Sequence, residues 1–128
     1  MSLYSGMEPL YLYLVFSIML FRNKFFHYIM FKEKVYKFTQ KIPQGRVATY
    51  KSVAVAIGLP KSSRAVANVL AQNFDPKIPC HRVVRSDGFV SGYNRGGPAQ
   101  KSKLLRAEGI LVANNKVDLK KFGNKKGG

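Results

Sequence analysis

Cys80, the one cysteine of the chain, is the residue best suited to nucleophilic chemistry, and a histidine, His81, follows it directly. A thiol reacts as its thiolate, and a neighbouring imidazole lowers the pKa of a free cysteine from about 8.5 towards neutrality. The pair therefore indicates a nucleophile with a lowered pKa, and the alternative is a buried cysteine that acts as a small apolar residue. Neighbouring side chains of a regular strand point to opposite faces, so the two can cooperate only across a local turn or through a water molecule. This geometry argues against a simple hydrolase dyad.

The charge balance of the 128-residue chain indicates a polyanionic partner. There are 22 Lys and Arg residues against 6 Asp and Glu, which gives a formal net charge of +16 and a pI near 10.2. Such a charge favours association with nucleic acid, although it does not distinguish DNA from RNA or an acidic membrane. A single cysteine excludes an internal disulfide, and His27 and His81 are too far apart in sequence to indicate a zinc cluster. We therefore expect no metal and a reducing, cytoplasmic location, associated with the nucleoid in a prokaryote.

The amino-terminal region is strongly apolar. Residues 10–21 are apolar apart from Ser17, and residues 25–31 continue the run after Arg22, Asn23 and Lys24. The run is too short to span a membrane, which takes about 20 apolar residues, and Glu8 is the only charge that precedes it, unlike in a signal peptide. Alternating Leu and Tyr over residues 10–14 predict a strand with two unlike faces. We interpret residues 1–30 as a short packing element or vestigial domain, with a membrane-touching segment as the alternative.

From Phe31 onward, capping residues, glycines and prolines predict a compact helical domain. Three helices are expected, one from Phe31 that ends before Pro43, one from Tyr50 to Ile57 and one from Arg64 to Gln72. Further along, a turn leads into a short strand within residues 78–84, a last helix opens at Pro98 and ends at Gly109, and Asn114-Asn115 indicates a hairpin. The two short helices joined by a glycine-containing turn are typical of a helix-turn-helix.

The outward face of the second short helix carries Arg64, Ala67, Asn68 and Ala71. Small side chains allow a helix to approach DNA closely, whereas a solvated surface helix more often carries Glu and Lys. The face therefore favours DNA binding, and the alternative is an alanine-rich helix packed against another element.

The stretch Pro79-Cys80-His81-Arg82-Val83-Val84 has a specific set of flanking residues. Arg64-Ala65-Val66 precedes it, and Ser86-Asp87-Gly88, Gly96-Gly97, Leu104-Leu105 and Glu108-Gly109 follow. With these residues the chain resembles the O6-alkylguanine-DNA alkyltransferases, also called methylated-DNA-protein-cysteine methyltransferases. The resemblance covers residues 31–110 and implies a mostly α fold, a winged-helix-like helix-turn-helix DNA-binding domain with short strands, preceded by the short apolar segment.

The resemblance also implies a catalytic set. Cys80 would attack the alkyl carbon on guanine O6 and keep the alkyl group as a thioether, so that the protein acts once and needs no cofactor. His81 would relay the thiol proton through a water and be oriented by Glu108. His81 and Glu108 together are expected to lower the pKa of Cys80. Tyr50 would protonate the departing base, and its ring would favour rotation of the nucleotide out of the duplex.

The partner implied by the resemblance is double-stranded DNA that contains O6-alkylguanine. Arg64 would fill the gap left by the extruded base, and the helix that carries it would lie in the minor groove. Backbone groups at Cys80 and Val83 would meet the base, Tyr93 and Asn94 would form the pocket wall or lid, and Asn73 would brace the turn of the cysteine. Phe74 stands where the family usually has proline, and Ala67 stands where glycine is common.

The expected organisation is a truncated or vestigial segment over residues 1–30, a catalytic and DNA-binding domain over 31–113, and a basic tail over 114–128, in a monomer without a membrane partner. Two other functions stay open. A sequence-reading DNA-binding protein would have no need of Cys80, Tyr50 and Glu108 together. A lesion sensor of the alkyltransferase-like type would bind alkylated DNA without reacting, although such proteins carry another residue in place of the cysteine.

Overall fold

The computed structural model describes residues 8–124, and for residues 20–22 it describes the backbone alone. Contacts divide the chain into two compact units between Phe31 and Lys32. Each unit is described by itself below. Of the expected terminal segments, residues 1–7 and 125–128 lie outside the described residues.

Helix α1 runs from Pro9 to Gln40 and contributes to both units. The strand predicted over residues 10–14 is therefore wrong. Leu and Tyr are both largely apolar, so their alternation is not the apolar and polar alternation of a half-buried strand, and no proline or glycine interrupts a helix before Pro43. The helix expected from Phe31 is the last part of α1, and its predicted end before Pro43 is confirmed. None of the described helices combines the length and apolarity that crossing a bilayer requires.

A helix-turn-helix follows, made of α2, Tyr50–Ala56, and α3, Ser63–Ala71. Strand β1, Ala48–Thr49, leads directly into α2. Thr49 forms a capping box with Ser52, in which the Ser52 N–H donates to Thr49 Oγ1 at 3.0 Å and the Thr49 N–H donates to Ser52 Oγ at 2.9 Å. Gly58, at φ 84°, reverses the chain after α2. The two predicted helices are confirmed, each to within a residue or two.

The second half of the domain returns to β1. A 3-10 turn, Cys80–Arg82, leads into β2, Val83–Val84, which pairs parallel to β1 with Ala48 opposite Val83. Helix α4 spans Gly97–Ala107. Strands β3, Val112–Ala113, and β4, Lys116–Val117, form an antiparallel hairpin. Asn114 and Asn115 both have positive φ, as a two-residue hairpin turn requires, so this predicted hairpin is confirmed.

Helix α5, Leu119–Phe122, follows the hairpin. The helix predicted from Pro98 is therefore not the last one. A fully apolar core joins the elements on both sides of α4, and its buried members are Val47, Val84, Val90, Leu105, Ile110, Val112 and Val117. The basic tail expected from residue 114 thus begins with a strand and a helix that complete the core, because Val117 is buried in it and Leu119 and Phe122 pack against it. The Val47 N–H donates to Phe122 O at 2.9 Å and ties this segment to the chain just before β1.

Candidate active site

Cys80 is the first residue of the 3-10 turn and is buried. The Cys80 N–H donates to Ile78 O at 2.8 Å, and the Arg82 N–H donates to Pro79 O at 3.0 Å, which closes the turn. Successive side chains of a 3-10 turn are separated by about a third of a revolution, rather than the half revolution of a strand. The structure therefore has a local turn at Cys80 and His81, which is one of the two arrangements in which these side chains can cooperate.

Asn73 holds the thiol. Its Nδ2 lies 2.9 Å from Cys80 Sγ and also donates to Asp75 O at 3.1 Å, while its Oδ1 accepts from the Asp75 N–H at 3.0 Å. The Asn73 side chain is buried, and these bonds leave it little freedom. Asn73 therefore forms a hydrogen bond to the sulfur itself and also lies beside the turn that carries Cys80.

His81 and Arg82 both bind Glu108, the residue that caps the carboxyl end of α4. His81 Nε2 is hydrogen-bonded to Glu108 Oε1. Arg82 Nε donates to both carboxylate oxygens, at 3.0 and 2.8 Å, and Arg82 Nη1 donates to Ile42 O at 2.8 Å. The sequence analysis assigned no role to Arg82, although it lies in the same motif. It fixes the carboxylate that orients the imidazole and ties both to the segment after α1.

No hydrogen bond joins Cys80 Sγ to the His81 ring among the described residues. Burial raises the pKa of the Cys80 thiol above its ordinary value, and the Asn73 hydrogen bond and the charges of Arg95 and Lys101 only partly oppose this. The predicted lowering of the Cys80 pKa is therefore wrong for the free protein, because the sequence did not reveal how far the sulfur is desolvated. Burial also lowers the pKa of His81, against the opposing effect of Glu108. His81 is thus neutral near pH 7 and can accept a proton.

Tyr50, the first residue of α2, is held by two polar partners. Its hydroxyl is hydrogen-bonded to Ser91 Oγ at 3.2 Å and accepts from Lys101 Nζ at 3.3 Å. Lys101 is only 1% exposed and its ammonium lies 5.6 Å from the centre of the Tyr50 ring. The sequence analysis did not select Lys101. Helical spacing in the sequence could have indicated its position, since Lys101 precedes the buried Leu105 by four residues and so lies on the inward face of α4.

A cavity of about 420 Å³ brings most of the predicted site residues together. Its wall is formed by Tyr50, Ala67, Asn68, Leu70, Ala71, Cys80, Ser91, Gly92, Tyr93, Asn94 and Lys101. Three residues of the outward face of α3, namely Ala67, Asn68 and Ala71, therefore border the same space as the thiol. Five predicted residues do not line it, namely Asn73, His81 and Glu108, whose contacts are given above, and Val83 and Arg64. Val83 is fully buried, and its N–H donates to Cys80 O, while Arg64 is exposed at the amino end of α3.

The loop of residues 92–96 forms the remaining wall. Asn94 Nδ2 donates to Ala71 O and to Asn73 O, both at 2.6 Å, and so links the loop to the end of α3 and to the residue that holds the thiol. The Arg95 guanidinium lies over the Tyr93 ring, 5.3 Å from its centre. Burial raises the pKa of Tyr93, so its hydroxyl stays neutral. Within residues 8–124, no group of three or more His, Cys, Asp or Glu side chains could hold a metal ion.

Fold and site together define a helix-turn-helix protein with a buried, hydrogen-bonded cysteine beside the outward face of its second helix. A sequence profile described as 6-O-methylguanine DNA methyltransferase, DNA binding domain, matches residues 30–110. The chain belongs to this family. The resemblance identified from the sequence is confirmed, and so is the predicted fold class.

Individual relatives support the same assignment. A bifunctional methyltransferase/endonuclease of Picrophilus torridus is 40% identical over 89 residues, which are 69% of this chain and 30% of that protein. A methylated-DNA-protein-cysteine methyltransferase of Mus musculus is 41% identical over 80 residues, 62% of this chain and 38% of that protein. The chain thus spans well under half the length of these curated relatives.

Among solved structures, S. pombe Atl1 in complex with damaged DNA containing O6-carboxymethylguanine has a similar fold. The TM-score is 0.68 at 28% sequence identity, and the similarity covers 75% of this chain and 95% of that one.

Proposed function

We propose that the protein repairs alkylated DNA directly, by transferring the alkyl group of O6-alkylguanine in double-stranded DNA to Cys80. One observation carries the proposal. Cys80 and the outward face of α3 border the same cavity, so DNA bound on that face would present a base to the thiol. The net charge of +16 suits a polyanion, and the family and the names of the relatives agree with this reaction.

In the proposed step, Cys80 Sγ attacks the alkyl carbon. The S–C bond forms as the C–O6 bond breaks, and the electron pair of the broken bond stays on the guanine. The thiol proton passes through a water to the neutral His81 ring, which the Glu108 carboxylate orients and stabilises as it becomes charged. The product is a thioether with no easy leaving route, so each protein molecule acts once. The thiol, the lesion and the protein's own acid and base side chains supply all the atoms of the step, which therefore needs no cofactor.

The guanine must gain a proton as it leaves, and Tyr50 is positioned to donate it. The Lys101 ammonium donates to the Tyr50 hydroxyl oxygen at 3.3 Å. A positive donor at the phenol oxygen stabilises the negative charge that develops on this oxygen while the proton is transferred to the base. Lys101 thus acts through Tyr50, and the Ser91 hydroxyl completes the orientation of the phenol.

The cavity lies beside α3 and is bordered by side chains, so the base has to leave the helical stack to reach Cys80. Extrusion costs a few kcal/mol, which a side chain inserted in the gap offsets in part. Arg64 is exposed and begins the same face of α3 that borders the cavity, which suits this role. Ala67 and Ala71 allow close approach of the helix to the minor groove.

A lesion sensor without repair activity is the second candidate, and two observations favour it. The fold is similar to that of S. pombe Atl1, which was determined with damaged DNA. Burial also raises the pKa of Cys80, which reduces the thiolate fraction in the free protein. Against it stands Cys80 itself, held at its sulfur by Asn73.

Mass spectrometry of the whole protein separates the two candidates. After incubation with a duplex that contains one O6-methylguanine, we expect one added methyl group, located on Cys80 by peptide mapping, and an equal amount of restored guanine. The control is Cys80→Ser, which keeps the size of the side chain and should bind the lesion without gaining mass. Wild-type protein that binds the lesion and stays unmodified would establish the sensor function and exclude the repair function.

A further inference from the structure

A cluster of exposed cations lies where the chain returns from the hairpin to the segment before β1. Its members are Arg46, Lys120 and Lys121, and we call these three residues the α5 surface. Arg46 Nη1 donates to Lys121 O at 2.7 Å, which brings the guanidinium to the helix that carries both lysines. The ion pairs of the described residues involve Glu108 and Asp87 and none of these three cations. Like charges held together repel each other, so the cluster favours an anionic partner.

Packing fixes the direction of the α5 surface. Leu119 and Phe122 pack against the core, so the two lysines between them project from the other side of this short helix. The Val47 N–H donates to Phe122 O at 2.9 Å and holds the end of α5 against the chain before β1. Asp118, the carboxylate of this segment, accepts from the Lys120 N–H at 3.0 Å and caps α5 rather than pairing with a cation. The lysines are therefore presented on a firmly held element.

The α5 surface lies close to the start of α2. A cleft of about 240 Å³ separates the two helices, and its wall includes residues of both sides, namely Leu119, Gly123, Thr49 and Ser52. Arg46 precedes Tyr50 by four residues, and an extended chain of this length spans at most about 14 Å. Tyr50 borders the cavity around Cys80. The α carbon of Arg46 is therefore within about 14 Å of a residue of the cavity wall.

This distance matters because a nucleotide whose base occupies the cavity stays joined to the phosphates on both of its sides. The DNA backbone then has to pass the cavity wall. Each strand of a duplex carries one phosphate per about 3.4 Å of helix axis, so about four phosphates fall within this distance. The α5 surface is thus within reach of the duplex that flanks an extruded base.

We infer that the α5 surface binds phosphates of the duplex beside the lesion and forms a second DNA-binding surface, separate from the outward face of α3. The inference rests on the proposed function, because it takes the extruded base to lie in the cavity. Phosphate contacts position a duplex without reading its sequence. The α5 surface therefore adds affinity for damaged and undamaged DNA alike.

The test removes the two lysines and keeps Arg46, because Arg46 also holds the backbone of Lys121. Dissociation constants are measured over a salt series for one duplex with and without O6-methylguanine, in a Cys80→Ser background that takes up no alkyl group. In Lys120→Gln combined with Lys121→Gln, both duplexes should bind about tenfold more weakly at low salt. The slope of log K against log salt should fall in magnitude by about two, since each lost phosphate contact removes about 0.9.

The matched control is Lys34→Gln combined with Lys37→Gln, at two exposed positions on the last part of α1. It removes the same number of charges, and it should keep the slope and weaken binding less than about twofold, because salt screens charges that do not contact the DNA. Lys120→Arg combined with Lys121→Arg keeps the charges and should retain both affinity and slope. The unfolding free energy in urea should be the same in all these proteins, since every substituted side chain is exposed.

Three results would overturn the inference. The first is an unchanged dissociation constant and slope in the Lys120 and Lys121 glutamine pair. The second is equal weakening in both glutamine pairs, which would mean that net charge acts without a defined surface. The third is a loss of affinity in the arginine pair as large as in the glutamine pair. None of these results depends on alkyl transfer, so wild-type protein that stays unmodified would exclude the repair function and leave the α5 surface standing.

Discussion

The amino-terminal part of α1 and the unit from Lys32 onward differ in how far their apolar side chains are buried. Among the side chains described between Leu10 and Met30, twelve large apolar ones are exposed, including Phe16 at 59% and Phe26 at 59%. In the described part of the second unit, the exposed large apolar residues are Val55, Leu59, Phe74 and Leu111, and seven apolar side chains share one buried core.

The cause lies in periodicity rather than in hydrophobicity. Residues 10–21 are apolar around the whole circumference of a helix, so no single face can be buried against one neighbour. In α3 the apolar residues Val66, Val69 and Leu70 recur at helical spacing, and all three are buried. Apolar content alone therefore does not build a core. The comparison also places all the proposed chemistry in the second unit, which four sets of variants can test.

The largest effect is expected at Lys101. Lys101→Met removes the donor to the Tyr50 hydroxyl but fills the same space, so alkyl transfer from duplex DNA should slow about 10- to 100-fold. Stability should stay equal or rise, because a buried ammonium without a carboxylate partner is replaced by an apolar side chain. The matched control is Lys103→Met, an exposed position on the same helix, which should leave the transfer rate within about twofold. Equal slowing in both variants would remove Lys101 from the mechanism.

A loss of stability is expected at Arg82. Arg82→Met removes the guanidinium that donates to Ile42 O and to Glu108, which then keeps its hydrogen bond to His81. The place is largely buried, since the Arg82 and Glu108 side chains are 19% and 9% exposed. We expect unfolding free energy to fall by about 2–3 kcal/mol in urea denaturation. Arg85→Met breaks an ion pair with Asp87 whose side chains are 56% and 46% exposed, and it should cost about 0.5 kcal/mol or less. Similar losses would mean that burial does not distinguish the two pairs.

A smaller effect concerns the thiol itself. Asn73→Leu removes the hydrogen bond that opposes the effect of burial, so the pKa of Cys80 should rise further. The thiolate fraction at pH 7 then falls, and alkylation by iodoacetamide should need a higher pH. His81→Ala should leave the thiol pKa nearly unchanged while slowing transfer to DNA, because no hydrogen bond joins the ring to the sulfur among the described residues. Titration of alkylation rate against pH in the three proteins measures this, and a rise in pKa with His81→Ala would contradict it.

The smallest effect is expected in the amino-terminal part of α1. Phe16→Ala removes an exposed side chain, so transfer rate and unfolding free energy should both stay close to the wild-type values. Leu105→Ala, in the buried core of the second unit, should cost about 2–4 kcal/mol. Thermal or urea denaturation of the two variants checks the comparison directly. A large loss in Phe16→Ala would show that the exposed surface of this helix is covered in solution.

Elements with strong local signals were predictable. The start of α2 at Tyr50, the glycine-containing turn after α2 and the Asn114-Asn115 hairpin depend on residues within a few positions of each other, and these predictions are confirmed. The strand predicted over residues 10–14 failed because its pattern contained no polar residue to set a period. Helix α5 was missed because its partners, such as Val47, are distant in sequence.

The sequence by itself determined the family and the helix-turn-helix and indicated Cys80 as the candidate nucleophile, because the Pro79-Cys80-His81-Arg82 motif and the capping residues are local. Only the tertiary structure decided which residues meet around the sulfur. Asn73 on Sγ, Arg82 on Glu108 and Lys101 on Tyr50 join positions that are 7, 26 and 51 residues apart. The direction of the Cys80 pKa likewise depends on burial, and burial results from the packing of the whole domain around the thiol.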